Sequence, residues 1–260
     1  MNLEKNRGYI LVLVFLAVAA RCFTRMFLLQ RRHFEGKREA RVMSNLKHPN
    51  FPLLLGICTL SKPYLLVTSY CNISDQPCMV SSLLKSKSLR LSVHVWLTLI
   101  RQLAQAIAYL HNTGFIHRDI KGDNVLVSLL NSKHRAILID FWKCIIFSCW
   151  KPCKTPNTFR AKKYHQKHGH IAPEIVSDDS PPSFASDICS FGQLVYAVGT
   201  FIDRHFLCAF GKRSCHDDAT TRPKLNLIVD ELKVPVQLAC DWFVRTSNIL
   251  QGKNEIGRAS

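Results

Sequence analysis

Between residues 115 and 127 the chain reads FIHRDIKGDNVLV, and its polar members are of types that do chemistry. His117, Arg118, Asp119, Lys121 and Asn124 crowd between two short apolar stretches, and Asp140 follows at the end of a further apolar run, AILID. Moving a phosphoryl group asks little covalent chemistry of a protein. It asks for a carboxylate that orients the attacking hydroxyl, cations that offset charge on oxygen, and ligands that hold a metal-bound triphosphate. Asp119 suits the first task and Lys121 the second, while Asn124 and Asp140 offer the hard oxygen atoms that Mg2+ prefers. A hydrogen-bonded turn without chemistry is the plain alternative for the same stretch.

The surrounding pattern predicts the elements that must position these groups. Leu97, Ile100, Leu103, Ala104, Ile107 and Leu110 recur at helical spacing, so WLTLIRQLAQAIAYLHN predicts an amphipathic helix leading into the charged stretch. Gly114 is placed to stop it. VLVSLL and AILID predict two strands with Asn131-Ser132-Lys133 as their turn, the second closing on Asp140. Upstream, Phe34 to Leu46 predicts a charged helix ended by Pro49, and FPLLLGIC and YLLVTSYC predict strands separated by Ser61-Lys62-Pro63. Lys143 to Gly169 is basic and irregular, and the pattern is helical again from Phe191. A helix and strands followed mostly by helices predicts an α+β fold, a small lobe joined to a larger helical one.

Composition narrows the partners. The chain carries 35 Lys and Arg against 18 Asp and Glu, a net charge of +17 that suits an anionic partner without choosing among nucleotide, acidic peptide, nucleic acid or membrane surface. Its hydrophobic content of 47% excludes a disordered chain. The 11 cysteines are odd in number and several sit in apolar runs, which fits reduced thiols in a cytoplasmic setting better than a disulfide framework. Tyr9 to Ala20 is an unbroken apolar run, too short for a comfortable membrane-spanning helix. It reads as a buried strand or, with its basic flank and small residues, as a secretory signal; membrane contact through residues 9–20 is the less favoured expectation.

The segments HRDIKGDN, IDF, His170-Ile171-Ala172-Pro173-Glu174, Ser186-Asp187-Ile188-Cys189-Ser190-Phe191-Gly192 and Arg222-Pro223 arrive in one order. Together they resemble the catalytic domain of protein kinases. The resemblance runs from about Ala19 to Leu232 and implies a bilobal α+β fold. On it, residues 1–71 form a truncated, β-rich N-lobe and hinge, and residues 72–260 a larger α-helical C-lobe with a shortened helix F–G region. It implies ATP and Mg2+ as cofactors and a protein as substrate, with no nucleic acid. By position, Asp119 is the catalytic base and Lys121 its cationic companion, the latter in the Ser/Thr-kinase pattern; Asn124 and Asp140 are the metal ligands. Glu39 takes the place of the helix C glutamate and Thr68 that of the gatekeeper. Ser69, Tyr70 and Cys71 form the hinge that meets adenine, with Leu126 beneath the purine and Ala19 above it. Glu174 and Arg222 match a buried ion pair, and Asp187 the aspartate that braces the HRD backbone. HPNFPLLLGIC and SLL are similar to the tyrosine-kinase-like branch of Ser/Thr kinases.

Three departures bear on activity. Arg21 stands where that family places the phosphate-binding lysine of strand 3, and a planar guanidinium is not equivalent to a compact ammonium; it reads equally well as a flank of the apolar run. Gly8 is the only glycine before residue 36, so no Gly-rich loop covers the phosphates. Trp142 occupies the family's glycine position after IDF, which is expected to bias the segment and hold Asp140 away from the metal, unless a nearby β-type conformation accommodates it. A pseudokinase, using the cleft as a binding module, is therefore the second reading. A third is a zinc-binding nucleic-acid-binding protein, drawn from Cys149, Cys153, His165 and His170 at C-x3-C-x11-H-x4-H. Arg118 would pair with a phosphorylated residue of the following segment, with Thr155, Thr158 and Tyr164 as candidates.

Overall fold

The structure, a computed structural model, describes residues 26–31, 33–58, 64–69, 71, 78–86, 91–147, 169–177, 180–233 and 236. Arg21, Ala19, Tyr70, the apolar run 9–20, Cys149, Cys153, His165, Thr155, Thr158 and Tyr164 lie outside the described residues.

Among the described residues, the small lobe holds a three-stranded antiparallel sheet in the order β1-β3-β2, with β1 Met26–Arg31, β2 Leu54–Cys58 and β3 Tyr64–Ser69. A register shift between Leu54 and Gly56 bends β2 at the edge. The helix α1, His33–Ser44, lies between β1 and β2 in the chain and buries Ala40, Val42 and Met43. Asn45 Nδ2 donates to the Arg41 carbonyl at 2.7 Å, satisfying an acceptor that the helix end leaves open. The strand β1 begins C-terminal to Arg21 and was not anticipated as an element of its own.

The larger lobe is built on α3, Val93–Asn112, preceded by the short α2, Val80–Lys85. Ser92 caps α3 by accepting from the Val95 N–H at 3.3 Å, and the chain leaves it through Thr113 and Gly114, whose φ of 81° needs no Cβ penalty. Trp96, Leu97, Leu99, Ile100, Leu103, Ala104, Ala106, Ile107 and Leu110 are all buried, confirming the helical stripe. Each large member of it contributes about 1.5–3 kcal/mol on leaving water. After the two-residue β4, Phe115–Ile116, come β5, Val125–Leu130, and β6, Lys133–Leu138, paired antiparallel; β4 pairs with β7, Ile145–Ile146. The β5–β6 turn is Asn131-Ser132 alone, with φ of 49° and 60°, the double left-handed geometry of a tight hairpin. Lys133 already belongs to β6.

The remaining helices among the described residues are α4, Pro173–Val176; α5, Phe184–Phe201; α6, His205–Ser214; and α7, Leu225–Glu231. Helix α5 starts well before Phe191, because Ser183 and Ser186 form a reciprocal capping box, their side chains bonding each other's backbone N–H at 3.2 and 3.1 Å. Helices α5 and α6 meet backbone to backbone: a Cβ on Gly192 would lie 2.6 Å from Ser214 Cβ, and one on Gly211 2.7 Å from the Gly192 carbonyl oxygen. This close pair fills most of the interval between Asp187 and Arg222.

A polar girder joins the lobes. Asn50 Nδ2 donates to the Ala136 carbonyl at 2.7 Å and to Gln102 Oε1 at 3.2 Å, while Gln102 Oε1 accepts from the Ala136 N–H at 2.8 Å. The Leu138 N–H closes the set on the Asn50 carbonyl at 2.9 Å. The HPN segment after α1 is thereby tied to β6 and α3.

Candidate active site

The charged stretch at residues 117–124 is held from below by Asp187, on the first turn of α5. Asp187 Oδ2 accepts from the His117 N–H at 2.7 Å and meets His111 Nε2 at 3.0 Å; Oδ1 accepts from the Arg118 N–H at 2.8 Å. These bonds stabilise Arg118 at φ 70°, a left-handed conformation that a bulky residue adopts only when its surroundings impose it. The bracing role expected of Asp187 thus has its geometry. His111, its third partner, was missed, since a histidine in the last turn of a helix has no sequence feature that points to a carboxylate far along the chain.

Asp119 is turned inward and nearly fully buried. Its Oδ2 accepts from Asn124 Nδ2 at 3.0 Å and lies 3.2 Å from Lys121 Nζ. Its Oδ1 lies 2.9 Å from Lys143 Nζ and 3.3 Å from His170 Nε2. Burial alone would raise its pKa, but the bonds from His170 and Lys143 and the charges of Lys143 and Lys121 outweigh that and hold the carboxyl well below the usual carboxylate range. Asn124, in the 3-10 turn Gly122–Asn124, also donates to the Asp119 carbonyl at 2.7 Å. Both of those bonds use the amide nitrogen, which leaves the amide oxygen as the atom suited to a hard cation.

Asp140 lies two residues beyond β6, at φ 73° and ψ 64°, so it does not close the strand as expected. The following 3-10 turn, Phe141–Lys143, buries Phe141 completely between Phe51 and His117, at ring-centroid distances of 5.3 Å to each. The Phe141 N–H donates to Glu39 Oε1 at 3.1 Å, so α1 is fastened to the segment carrying Asp140. Trp142 does not have the positive φ that favours glycine; among these residues it falls on Asp140 instead. The turn accommodates an ordinary side chain at Trp142, in a 3-10 rather than a β-type conformation.

Between the lobes lies a cavity of about 170 Å3, lined by Glu39, Thr68, Ser69, Cys71, Leu126, Asn124 and Asp140 among others. It brings Ser69, Cys71 and Leu126 to one cleft with Asn124 and Asp140; Tyr70 and Ala19, expected beside them, lie outside the described residues. Leu126 reaches it because β5 is pinned from the side, the Val127 N–H donating to the Cys78 carbonyl at 2.7 Å. Burial pushes the Cys71 thiol up despite its contact with Ser69. Asp119 is tied to the same floor through Asn124. An amide and a carboxylate among the lining residues, Asn124 and Asp140, suit Mg2+, and the apolar Leu126 and Met43 suit a flat heterocycle. Further down, Arg222 makes a two-pronged bond to Glu174, Nη1 to Oε1 at 2.7 Å and Nη2 to Oε2 at 2.8 Å, fastening α4 to the helical body.

A small β-sheet lobe, a helical lobe, and a cleft lined by Asn124 and Asp140, with Asp119 hydrogen-bonded to Asn124, define a protein kinase domain. A family model described as protein tyrosine and serine/threonine kinase matches residues 28–226, and the chain belongs to that family. It is 38% identical over 98 residues to discoidin domain-containing receptor tyrosine kinase B of Caenorhabditis elegans, covering 38% of this chain and 12% of that protein. It is 30% identical over 167 residues to tyrosine-protein kinase ABL2 of Homo sapiens, covering 63% and 13%. It is 28% identical over 165 residues to serine/threonine/tyrosine-protein kinase HT1 of Arabidopsis thaliana, covering 63% and 38%. The chain therefore spans well under half the length of these relatives. Among the described residues, no helix is long and apolar enough to cross a membrane, and the seven described cysteines are free thiols.

Proposed function

We propose that this chain transfers the terminal phosphoryl group of ATP to serine or threonine hydroxyls of protein substrates. One observation carries the reading: Asn124 bonds both the backbone and the side chain of Asp119 while lining, with Asp140, the cleft that Glu39, Ser69, Cys71 and Leu126 also line. In this reading Asp119 orients the substrate hydroxyl and accepts its proton, and Lys121, 3.2 Å away, offsets charge on the transferred group. Asn124 and Asp140 would hold Mg2+, which supplies charge neutralisation on the phosphate oxygens. Ser69, Tyr70 and Cys71 would meet adenine, Leu126 and Ala19 would enclose it, and Arg21 would reach the phosphates. The choice of Ser/Thr over Tyr rests on Lys121, whereas the relatives include tyrosine kinases. Residues 1–71 and 72–260 remain the proposed lobes.

The test is transfer of labelled phosphate from Mg-ATP to a generic basic protein, followed by phosphoamino-acid analysis. Label on serine or threonine, abolished in Asp119→Asn with the fold intact by circular dichroism, is the expected result. Label on tyrosine alone overturns the specificity, and no transfer overturns the enzyme reading. The second reading, a pseudokinase binding module, is favoured by the two groups from outside the HRD stretch that already sit on Asp119 Oδ1.

A further inference from the structure

Resting on the kinase reading above, we propose that Lys143 is a built-in competitor of the substrate hydroxyl: its ammonium occupies the acceptor face of Asp119, and transfer requires that it withdraw. A carboxylate offers about four lone-pair sites, two on each oxygen. In this site all are spoken for. Asn124 and Lys121 take Oδ2, and Lys143 and His170 take Oδ1 at 2.9 and 3.3 Å. A hydroxyl entering for phosphorylation has to displace one donor.

The four donors differ in how firmly they are held. Asn124 is buried and makes a second bond to the Asp119 backbone, so its departure would strand a polar amide. Lys121 stands two positions from Asp119 and serves the transfer itself. His170 makes the longest contact of the four. Lys143 makes the shortest, which makes it the strongest competitor for that oxygen, and it alone comes from the turn that follows Asp140. Its side chain is 29% exposed, much like that of Lys121 at 28%, but its ammonium also lies 5.3 Å from the centroid of the Trp142 ring, a second resting place for the charge. A lysine ammonium on a four-carbon stem can move between such partners without backbone change. The indole at a position where glycine is usual thus acquires a role, as the shelf beside which the competing cation rests.

The perturbation is Lys143→Ala, with Lys143→Arg as the variant that keeps a cation in place. Losing one partly exposed, charge-assisted bond to Asp119 is expected to raise kcat/KM by about five- to tenfold. Lys143→Arg is expected to stay near the parent. Unchanged or lower activity in Lys143→Ala, or equal gains in both variants, overturns the proposal. A second readout does not depend on turnover. The rate at which an amine-acylating reagent labels Lys143, followed by peptide mass spectrometry, is expected to rise severalfold in Asp119→Asn, because the ammonium loses its anchor. No change in labelling also overturns the proposal. A labelling change in protein that never transfers phosphate, whatever stands at residue 143, upholds the contact and overturns the kinase reading instead.

Discussion

Replacing Asp187 by asparagine isolates the contribution of one buried carboxylate with almost no change in shape. In the parent, Asp187 accepts from two backbone N–H groups at 2.7 and 2.8 Å and meets His111 at 3.0 Å. Asparagine keeps one acceptor oxygen and turns an NH2 towards the other N–H. Two charge-assisted bonds become at best one neutral bond, and a buried donor is left facing a donor. Hydrogen bonds to charged groups contribute about 1.5–3 kcal/mol each and an unsatisfied buried donor costs about 1–3 kcal/mol, so the loss should be about 3 kcal/mol. With a urea slope of about 3 kcal/mol/M for a chain of this size, the unfolding midpoint should fall by about 1 M at constant slope. Amide exchange at Arg118 should accelerate in parallel, since the left-handed backbone there loses its brace. A midpoint shift below about 0.3 M, or an Arg118 amide as protected as before, refutes the claim that Asp187 imposes this backbone.

Arg222→Lys keeps the charge but cannot reproduce the fork onto Glu174, nor the further bonds from Nε to the His216 carbonyl at 2.7 Å and from Nη1 to the Ala185 carbonyl at 3.0 Å; a loss of about 2–4 kcal/mol is expected by urea unfolding. The stability of the parent should fall as pH drops from about 7.5 to 5.5. Burial lowers the pKa of His117 below 6.5 against the pull of Asp187, Asp119 and Asp140, so the unfolded chain takes up the proton first and stability present above 6.5 is lost below it. His48 and His134, lowered chiefly by burial, act in the same sense. The depressed carboxyl of Asp119 adds a further loss below its ordinary value of 3.8. A urea midpoint that stays level from about pH 7.5 to 5.5 contradicts the histidine part.

Local order and residue type were legible wherever a short-range rule governs them. The stripe from Leu97 to Leu110 announces α3 because helical periodicity is written into consecutive residues, and Ser183 with Ser186 sets where α5 begins for the same reason, although the pattern from Phe191 alone placed that start too late. The kinase character was legible from HRDIKGDN, IDF and Asp187 because each role needs one residue type at one place along the chain. Asp140 beyond the end of β6, the positive φ on Asp140 rather than Trp142, and the partnership of His111 with Asp187 were not, since each depends on how separate segments pack.

The contents of the Asp119 site show the division most sharply. From sequence alone came the identity of the carboxylate, its amide and lysine companions, and the aspartate expected beneath them, since these lie within a few residues of one another or at motif spacing. Only the tertiary structure decided that Lys143 and His170 close over Oδ1, that Phe141 is fastened to Glu39, and that Ser69, Cys71, Leu126 and Asp140 line one cleft. Those contacts join residues remote in sequence, and a long-range contact is set by the distances and angles of packed helices and strands, which no spacing along the chain encodes.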